Sequence, residues 1–306
     1  MSCSYCQQLI PALPGQNYCS RHQHRPEAVR SNAFFLRTKR LYSGEHQSRW
    51  AFRAVLSGYQ AVESNAHRHT LDQSNYLITP QGVHYQTEIQ AEQDVELIVV
   101  GFHPEFFQTA FAQIPQTTEY LLNKPDWTTT AIPAFWETSY PRTPVFNAIL
   151  SQYKQLILNR SGSAQELEEL SANLINQIAA NHQTAEARAS LIPAKKPAVR
   201  EELFRRLQIA RSYMESQLDQ QLGLEQIAAA ACLSPFHFLR LFKAVFQLSP
   251  MQYLAQTRIK KAKYLLANSN EAVASIAEAV SFTDQGAFAR WFKRHTGQTP
   301  SGIRLN

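Results

Sequence analysis

Cys3 and Cys6 stand three positions apart, and after twelve intervening residues Cys19 and His22 repeat that spacing. Three thiolates and one imidazole in two close pairs make a tetrahedral donor set suited to Zn2+. Pro14-Gly15 between the pairs lets the chain fold back, and His24 is an alternate to His22. Zinc would order a segment too short to fold alone, so structural zinc is the expectation; a redox or metal-sensing tip and an unliganded tail are the alternatives. The fourth cysteine, Cys232, lies far away, and four cysteines are too few for a disulfide-built secreted scaffold. His67-x-His69 with the later His84 is a second donor set, because strand residues i and i+2 share a face. No well-spaced glutamate follows His69, so ordinary hairpin histidines, or polar members of a binding pocket, are preferred to a metal site. No Ser/His/Asp set, phosphate loop or paired-carboxylate motif is evident, and catalysis is not expected.

The remaining chemistry is charge. The net of +6 comes from 30 Lys+Arg against 24 Asp+Glu, and it is unevenly placed. Residues 1–198 hold 16 basic and 16 acidic side chains, whereas residues 199–306 hold 14 against 8. A basic last third beside a neutral remainder is the footprint of a module for nucleic acid or an anionic surface. That third also contains a repeat: FLRLFKAVFQLSP, ending at Pro250, is echoed by FARWFKRHTGQTP, ending at Pro300. Arg240, Phe242, Lys243, Ser249 and Pro250 recur fifty residues later as Arg290, Phe292, Lys293, Thr299 and Pro300, and Ile227-Ala228 recur at an offset of 49 as Ile276-Ala277. One helical supersecondary unit is used twice.

Each unit has the grammar of helix, turn, helix. LEQIAAAA is a short helix, Cys232-Leu233 a tight turn, and Ser234-Pro235 supply the N-cap and first position of the next helix. There Phe238, Leu241, Phe242 and Val245 form an inward stripe, opposite Phe236, Leu239, Arg240 and Lys243. The second unit places Phe288, Trp291, Phe292 and His295 inward and Gly286, Ala289, Arg290 and Lys293 outward. An exposed helix of this kind fits the major groove, where arginine bonds guanine and apolar groups meet thymine methyls, while Lys243 and Lys293 suit phosphates.

These residues resemble the C-terminal DNA-binding domain of the AraC family of bacterial transcription regulators. The likeness runs over about residues 203–304, through IAAAACLSPFHFLRLFK, Ser249-Pro250 with Tyr253-Leu254, RIKKAKYLL from Arg258, IAEAVSFTDQGAFARWFKRHTGQTP, and Ser301 and Arg304. It implies two helix-turn-helix units joined by a long helix containing Arg258 to Leu266, with both recognition helices on one side of a double-stranded promoter. Carried over by position, the groove-facing residues are Phe236, Leu239 and Arg240, then Gln285, Gly286 and Arg290; His237 and Thr283 complete the DNA-contacting set. Two departures stand out, since the family commonly has glycine where this chain has Ser281 and Gln247, though Gly297 is kept. Gly286 offers no side chain for readout, so the second unit should read few bases.

The preceding region reads as strands over AFFLRTKRLY, WAFRAVLSGY, NYLIT and VELIVVGF, and about residues 40–112 resemble the family's sensor domain, a cupin-like β-barrel followed by helices. The resemblance rests on SGYQAVESNAHRHTLDQSNYLITPQGVHYQ and the Phe-rich helix after Gly101, and implies a small-molecule effector whose identity it does not transfer. Helices are expected near 144–160 and 163–182, the second with a Ser163/Glu166 capping box and a stripe of Leu167, Leu170, Leu174 and Ile178. The stripe packs on its own domain or forms the seam of a homodimer. The expected class is α+β: a zinc knuckle at 1–25, a cupin-like sensor at 26–183, a linker at 184–199 and an all-α DNA-binding domain at 200–306. With no apolar run long enough for a membrane span and no secretory h-region, the expected place is the cytoplasm. The expected function is a DNA-binding transcription regulator responsive to an effector, against the alternatives of a metalloenzyme fused to a DNA-binding domain or a metal- or thiol-responsive switch.

Overall fold

Long apolar runs in the first half become strands that bury both faces. The computed structural model describes residues 31–48, 50–64, 67–112, 139–159 and 163–304, and the chain divides into two compact units between Ala187 and Arg188. In the N-terminal unit β1 (Ser31–Gln47) and β6 (His84–Phe102) form a long antiparallel ribbon, bent where the register shifts between Thr38 and Arg40 and between Ser43 and His46. The other edge of β6 pairs with β2 (Ala51–Ser57) and β3 (Gln60–Ser64). Outward from these lie β4 (His67–Leu71) on β3, and β5 (Asn75–Thr79) on β2, itself paired with β7 (Ser139–Pro141). The order β4-β3-β6-β2-β5-β7 curls until its two end strands approach each other, giving a nearly closed barrel of the cupin-like kind.

The two faces of this barrel are packed differently. Leu36, Val55, Val62, Leu71, Leu77, Ile89, Leu97 and Val99 line the interior with aliphatic side chains. On the outer face Phe52 and Tyr76 stack against Phe146 of α2 (Pro144–Asn159), at 6.0 and 4.6 Å between ring centroids, and Trp50 lies 4.5 Å from Phe107 of α1 (Pro104–Ala112). Helices thus clad the barrel with aromatics, whose large buried area makes them the main anchors of this layer.

The next helix, α3 (Ala164–Ser190), starts at the expected capping box: Ser163 N–H donates to Glu166 Oε2 at 2.6 Å and Glu166 N–H to Ser163 Oγ at 3.1 Å. Most of its stripe packs within its own unit. Leu170, Leu174 and Ile178 are buried, and the same helix is tied to its own unit by Ser171, bonded to Ser31 and Tyr153, and by Asn181, which donates to Tyr76 Oη and to the Pro141 carbonyl. The helix also runs on to Ser190, so the expected linker at 184–199 is helical at both ends, with α4 (Pro197–Ser216) beginning at Pro197. HQTAEARAS lacks an apolar period but contains no helix breaker, and loss of amphipathicity alone does not end a helix.

The C-terminal unit continues as α5 (Leu224–Ala230), α6 (Pro235–Phe246), α7 (Pro250–Asn268), α8 (Val273–Glu278), α9 (Gln285–Thr296) and α10 (Pro300–Arg304). Dividing the chain after Ala187 moves Arg188, Lys195 and Lys196 into this unit, which then holds 17 basic and 8 acidic residues against 13 and 16 in the first. Among the described residues no single helix is long and apolar enough to cross a membrane.

Candidate nucleic-acid interface

Two turns built alike aim two helices. Between α5 and α6, which bend by 80°, Cys232 N–H donates to Ala229 O at 2.9 Å and Leu233 N–H to Ala228 O at 3.0 Å. Forty-nine residues on, Ser281 N–H donates to Glu278 O and Phe282 N–H to Ala277 O, both at 2.9 Å. Cys232 and Ser281 are both left-handed, at φ 51° and 73°. Each turn carbonyl also receives a side chain, Arg206 on Cys232 at 3.2 Å and Gln221 on Ser281 at 2.6 Å. A second left-handed pair closes α6 and α9, at Gln247 (φ 58°) and Gly297 (φ 79°).

Ser281 bears a cost that glycine there would not. A side chain in the left-handed region costs roughly 1–2 kcal/mol, and its hydroxyl is buried without a hydrogen bond, a further penalty of about 1–3 kcal/mol. Glycine gives back about 0.4–1 kcal/mol through the unfolded chain. Ser281→Gly is therefore expected to stabilise the protein by at least about 1 kcal/mol, read as a higher denaturation midpoint at unchanged slope; a lower midpoint would show that the hydroxyl holds the turn.

The helices present the expected faces, with one correction. In α6, Phe238, Leu241, Phe242 and Val245 are buried, while Phe236 is 78% exposed, Arg240 and Lys243 are exposed, and His237 and Leu239 are half-buried. In α9, Phe288 and Phe292 are buried, Trp291 is half-buried, and Arg290 and Lys293 are exposed. Thr283 and Gln285 are exposed at the start of that helix, beside the half-buried Gly286. His295, expected inward, is exposed, with its ring against Trp291 and Nδ1 2.8 Å from the Trp291 carbonyl. The last turn of α9 emerges from the core, so the i+7 position of the stripe meets Trp291 of its own helix rather than the buried cluster. Its neighbour Arg294 is exposed beside Lys293 and belongs with the candidate phosphate contacts; the Lys293-Arg294-His295 run was the signal.

Capping and charge differ between the two helices. Ser234 occupies the N-cap of α6 with extended backbone, but its hydroxyl makes no cap bond. Asp284 caps α9 by accepting from Ala287 N–H at 2.6 Å and Gly286 N–H at 3.2 Å, bonds that hold its carboxyl below the usual range. That carboxylate also sits 3.9 Å from Arg290 Nη2, an exposed pair that partly neutralises the second helix. Arg240 has no such acid among the described residues. Between the units α7 is capped by Ser249 and Gln252, and Arg258 ties it back through the Leu218 and Gln220 carbonyls. Arg258 is thus a brace rather than a groove residue.

The other candidate chemistry separates. Cys3, Cys6, Cys19 and His22 lie outside the described residues. Val62 pairs with both His69 and Thr87, and Thr87 is three residues from His84 on β6, which puts His69 and His84 on opposite faces. His69 is buried, whereas His84 is exposed and 3.0 Å from Glu45. The three-histidine cupin site is therefore not assembled, and among the described residues no three His, Cys, Asp or Glu side chains form a metal-holding group.

Residues 227–306 match the family model described as a helix-turn-helix domain. Over 93 residues the chain is 37% identical to the MmsAB operon regulatory protein of Pseudomonas aeruginosa, covering 30% of each protein. Over 153 residues it is 31% identical to the arabinose operon regulatory protein of Escherichia coli, covering 50% of this chain and 49% of that relative. The chain thus spans about a third to a half of the length of these relatives. Among solved structures, the C-terminal domain of AraT, a response regulator from Geobacillus stearothermophilus, is similar at 30% identity over 33% of this chain and 84% of that one, with a TM-score of 0.32.

Proposed function

We propose, from the match of residues 227–306 to a helix-turn-helix domain, that the chain is a sequence-specific, double-stranded-DNA-binding transcription regulator of the AraC type. One observation carries this reading: two helices fifty residues apart each expose an arginine and a lysine opposite a buried aromatic core. A single such helix is an ordinary solvated face, but two with matching turns and matching charge are a paired reading head. The relatives' names, operon regulatory proteins, agree with this. The N-terminal barrel is assigned the sensing of a small-molecule effector, without catalysis, and the protein is assigned to the cytoplasm with its DNA. A fused metalloenzyme is disfavoured by the opposed faces of His69 and His84.

Genome-wide mapping of bound DNA tests the assignment. A limited set of promoter sites sharing one motif is expected, and on one of those fragments affinity should fall steeply with salt, by about 10³-fold between 50 and 200 mM for six phosphate contacts. Diffuse occupancy without a motif would overturn the reading. At the N-terminal tip the Cys3, Cys6, Cys19 and His22 spacing supports structural zinc. Tag-free protein should carry about one equivalent, and less than about half would dismiss it.

A further inference from the structure

The barrel buries a cation, Arg53, that no ion pair engages among the described residues. Arg53 lies in the middle of β2, paired on one side with Val99 and on the other with Leu77, both members of the interior cluster, so its side chain points into the barrel. It is 5% exposed, and its Nε and Nη1 are buried without a hydrogen-bond partner. The interaction that meets it is the ring of Tyr85, 4.8 Å from the guanidinium carbon. An aromatic face offsets only part of the desolvation of a guanidinium.

The strand register shows what lies beside it. Asn32, Gly101, Ala51 and Thr79 are consecutive partners across β1, β6, β2 and β5, forming one rung of the inner wall next to the rung of Phe34, Val99, Arg53 and Leu77. Asn32 Oδ1 and Thr79 Oγ1 are also buried without partners. The two central positions of their rung are the smallest side chains available, and a Cβ at Gly101 would come within 2.4 Å of Asn32 Oδ1. Asn32 Oδ1 thus lies over Gly101, and this acceptor and the Thr79 hydroxyl adjoin the Arg53 guanidinium, whose Nε and Nη1 lack partners, and the apolar walls of Phe34, Val99 and Leu77. Three polar groups on neighbouring rungs without partners among the described residues are costly inside a nearly closed barrel unless something binds there.

We infer that the barrel binds a small organic carboxylate bearing a hydroxyl or amino donor, with Arg53 engaging the carboxylate and Asn32 and Thr79 the donor group. Arginine matches carboxylate oxygens, Asn32 Oδ1 needs a donor, and Thr79 serves either way. This deepens the reading of the N-terminal unit as an effector sensor and rests on it.

Thermal denaturation of the full chain with lactate, malate and benzoate, and with glycerol and glucose as neutral controls, tests the inference. At least one hydroxy acid should raise the melting temperature by about 5 °C at saturating concentration, more than benzoate does, while the neutral controls leave it unchanged. Arg53→Met should abolish that shift and leave the ligand-free protein at least as stable, since an uncompensated charge is removed. Thr79→Val, close to isosteric, keeps the test alive should Arg53→Met fail to fold, and should narrow the difference between hydroxy acids and benzoate. No shift with any of the three acids, an equal shift with glucose, or an equal acid shift in Arg53→Met would overturn the inference. Specific promoter binding by ligand-free protein is scored separately: acid binding without it would sink the regulator reading and leave the carboxylate site standing.

Discussion

Phe292→Ala is expected to cost about 3–5 kcal/mol of stability and to abolish specific DNA binding with it. Phe292 is fully buried in a cluster with Ala262 and Leu266 of α7, Ile276 and Ala277 of α8, Val280 of the turn, and Phe288 of α9. Its ring lies 5.5 Å from that of Phe288. Truncation leaves a cavity walled by three helices, and the walls resist collapse because α7 is held by its cap and by Arg258. Phe242→Ala should act alike in the first unit, where Phe238, Phe246 and Tyr253 surround it with ring centroids 4.4 to 5.7 Å away. Phe236→Ala is the control, the same residue type on the same helix as Phe242 but 78% exposed. It should change stability by less than about 0.5 kcal/mol while weakening DNA binding. Guanidinium denaturation of the three variants measures this, and a loss below about 1.5 kcal/mol at Phe292 would show that the core closes over the gap.

Much of the C-terminal unit was legible because a repeat supplies its own control: a turn seen twice at Cys232 and Ser281, and a charged face seen twice at Arg240 and Arg290, are hard to produce by chance. The strands were legible for a simpler reason, that β-branched and aromatic runs bounded by turns have few other places to go. What stayed hidden depends on the third dimension. The i+7 place of His295 follows helical period, but period does not say where the core ends. The stripe on α3 announced that it needed a partner without naming the barrel and α2 as the surface it packs against. Arg53 had a signal that was missed: in WAFRAVLS it is the one charge in a run apolar on both faces. A strand buried on both sides has no solvent face for an arginine, so that residue already pointed to a cation buried inside the barrel.

Arg240→Ala should weaken binding to the cognate promoter by about 5- to 150-fold, equivalent to 1–3 kcal/mol, and relax the sequence preference at one base position. Arg240 is exposed on α6 away from the core and, unlike Arg290, has no carboxylate to compete for its guanidinium among the described residues. It can therefore offer its whole fork to a guanine edge, and folding stability should not change. Arg290→Ala should cost less, since the contact with Asp284 must be exchanged for the one with DNA. Lys243→Ala is the opposite case, expected to weaken cognate and random DNA alike and to lower the salt slope by about one. Competition binding of the three variants on promoter and scrambled duplexes separates these roles. Equal losses for Arg240→Ala on both duplexes would move Arg240 to the phosphate contacts and leave base readout in the first unit to Phe236 and Leu239, whose apolar groups can meet thymine methyls but cannot recognise guanine.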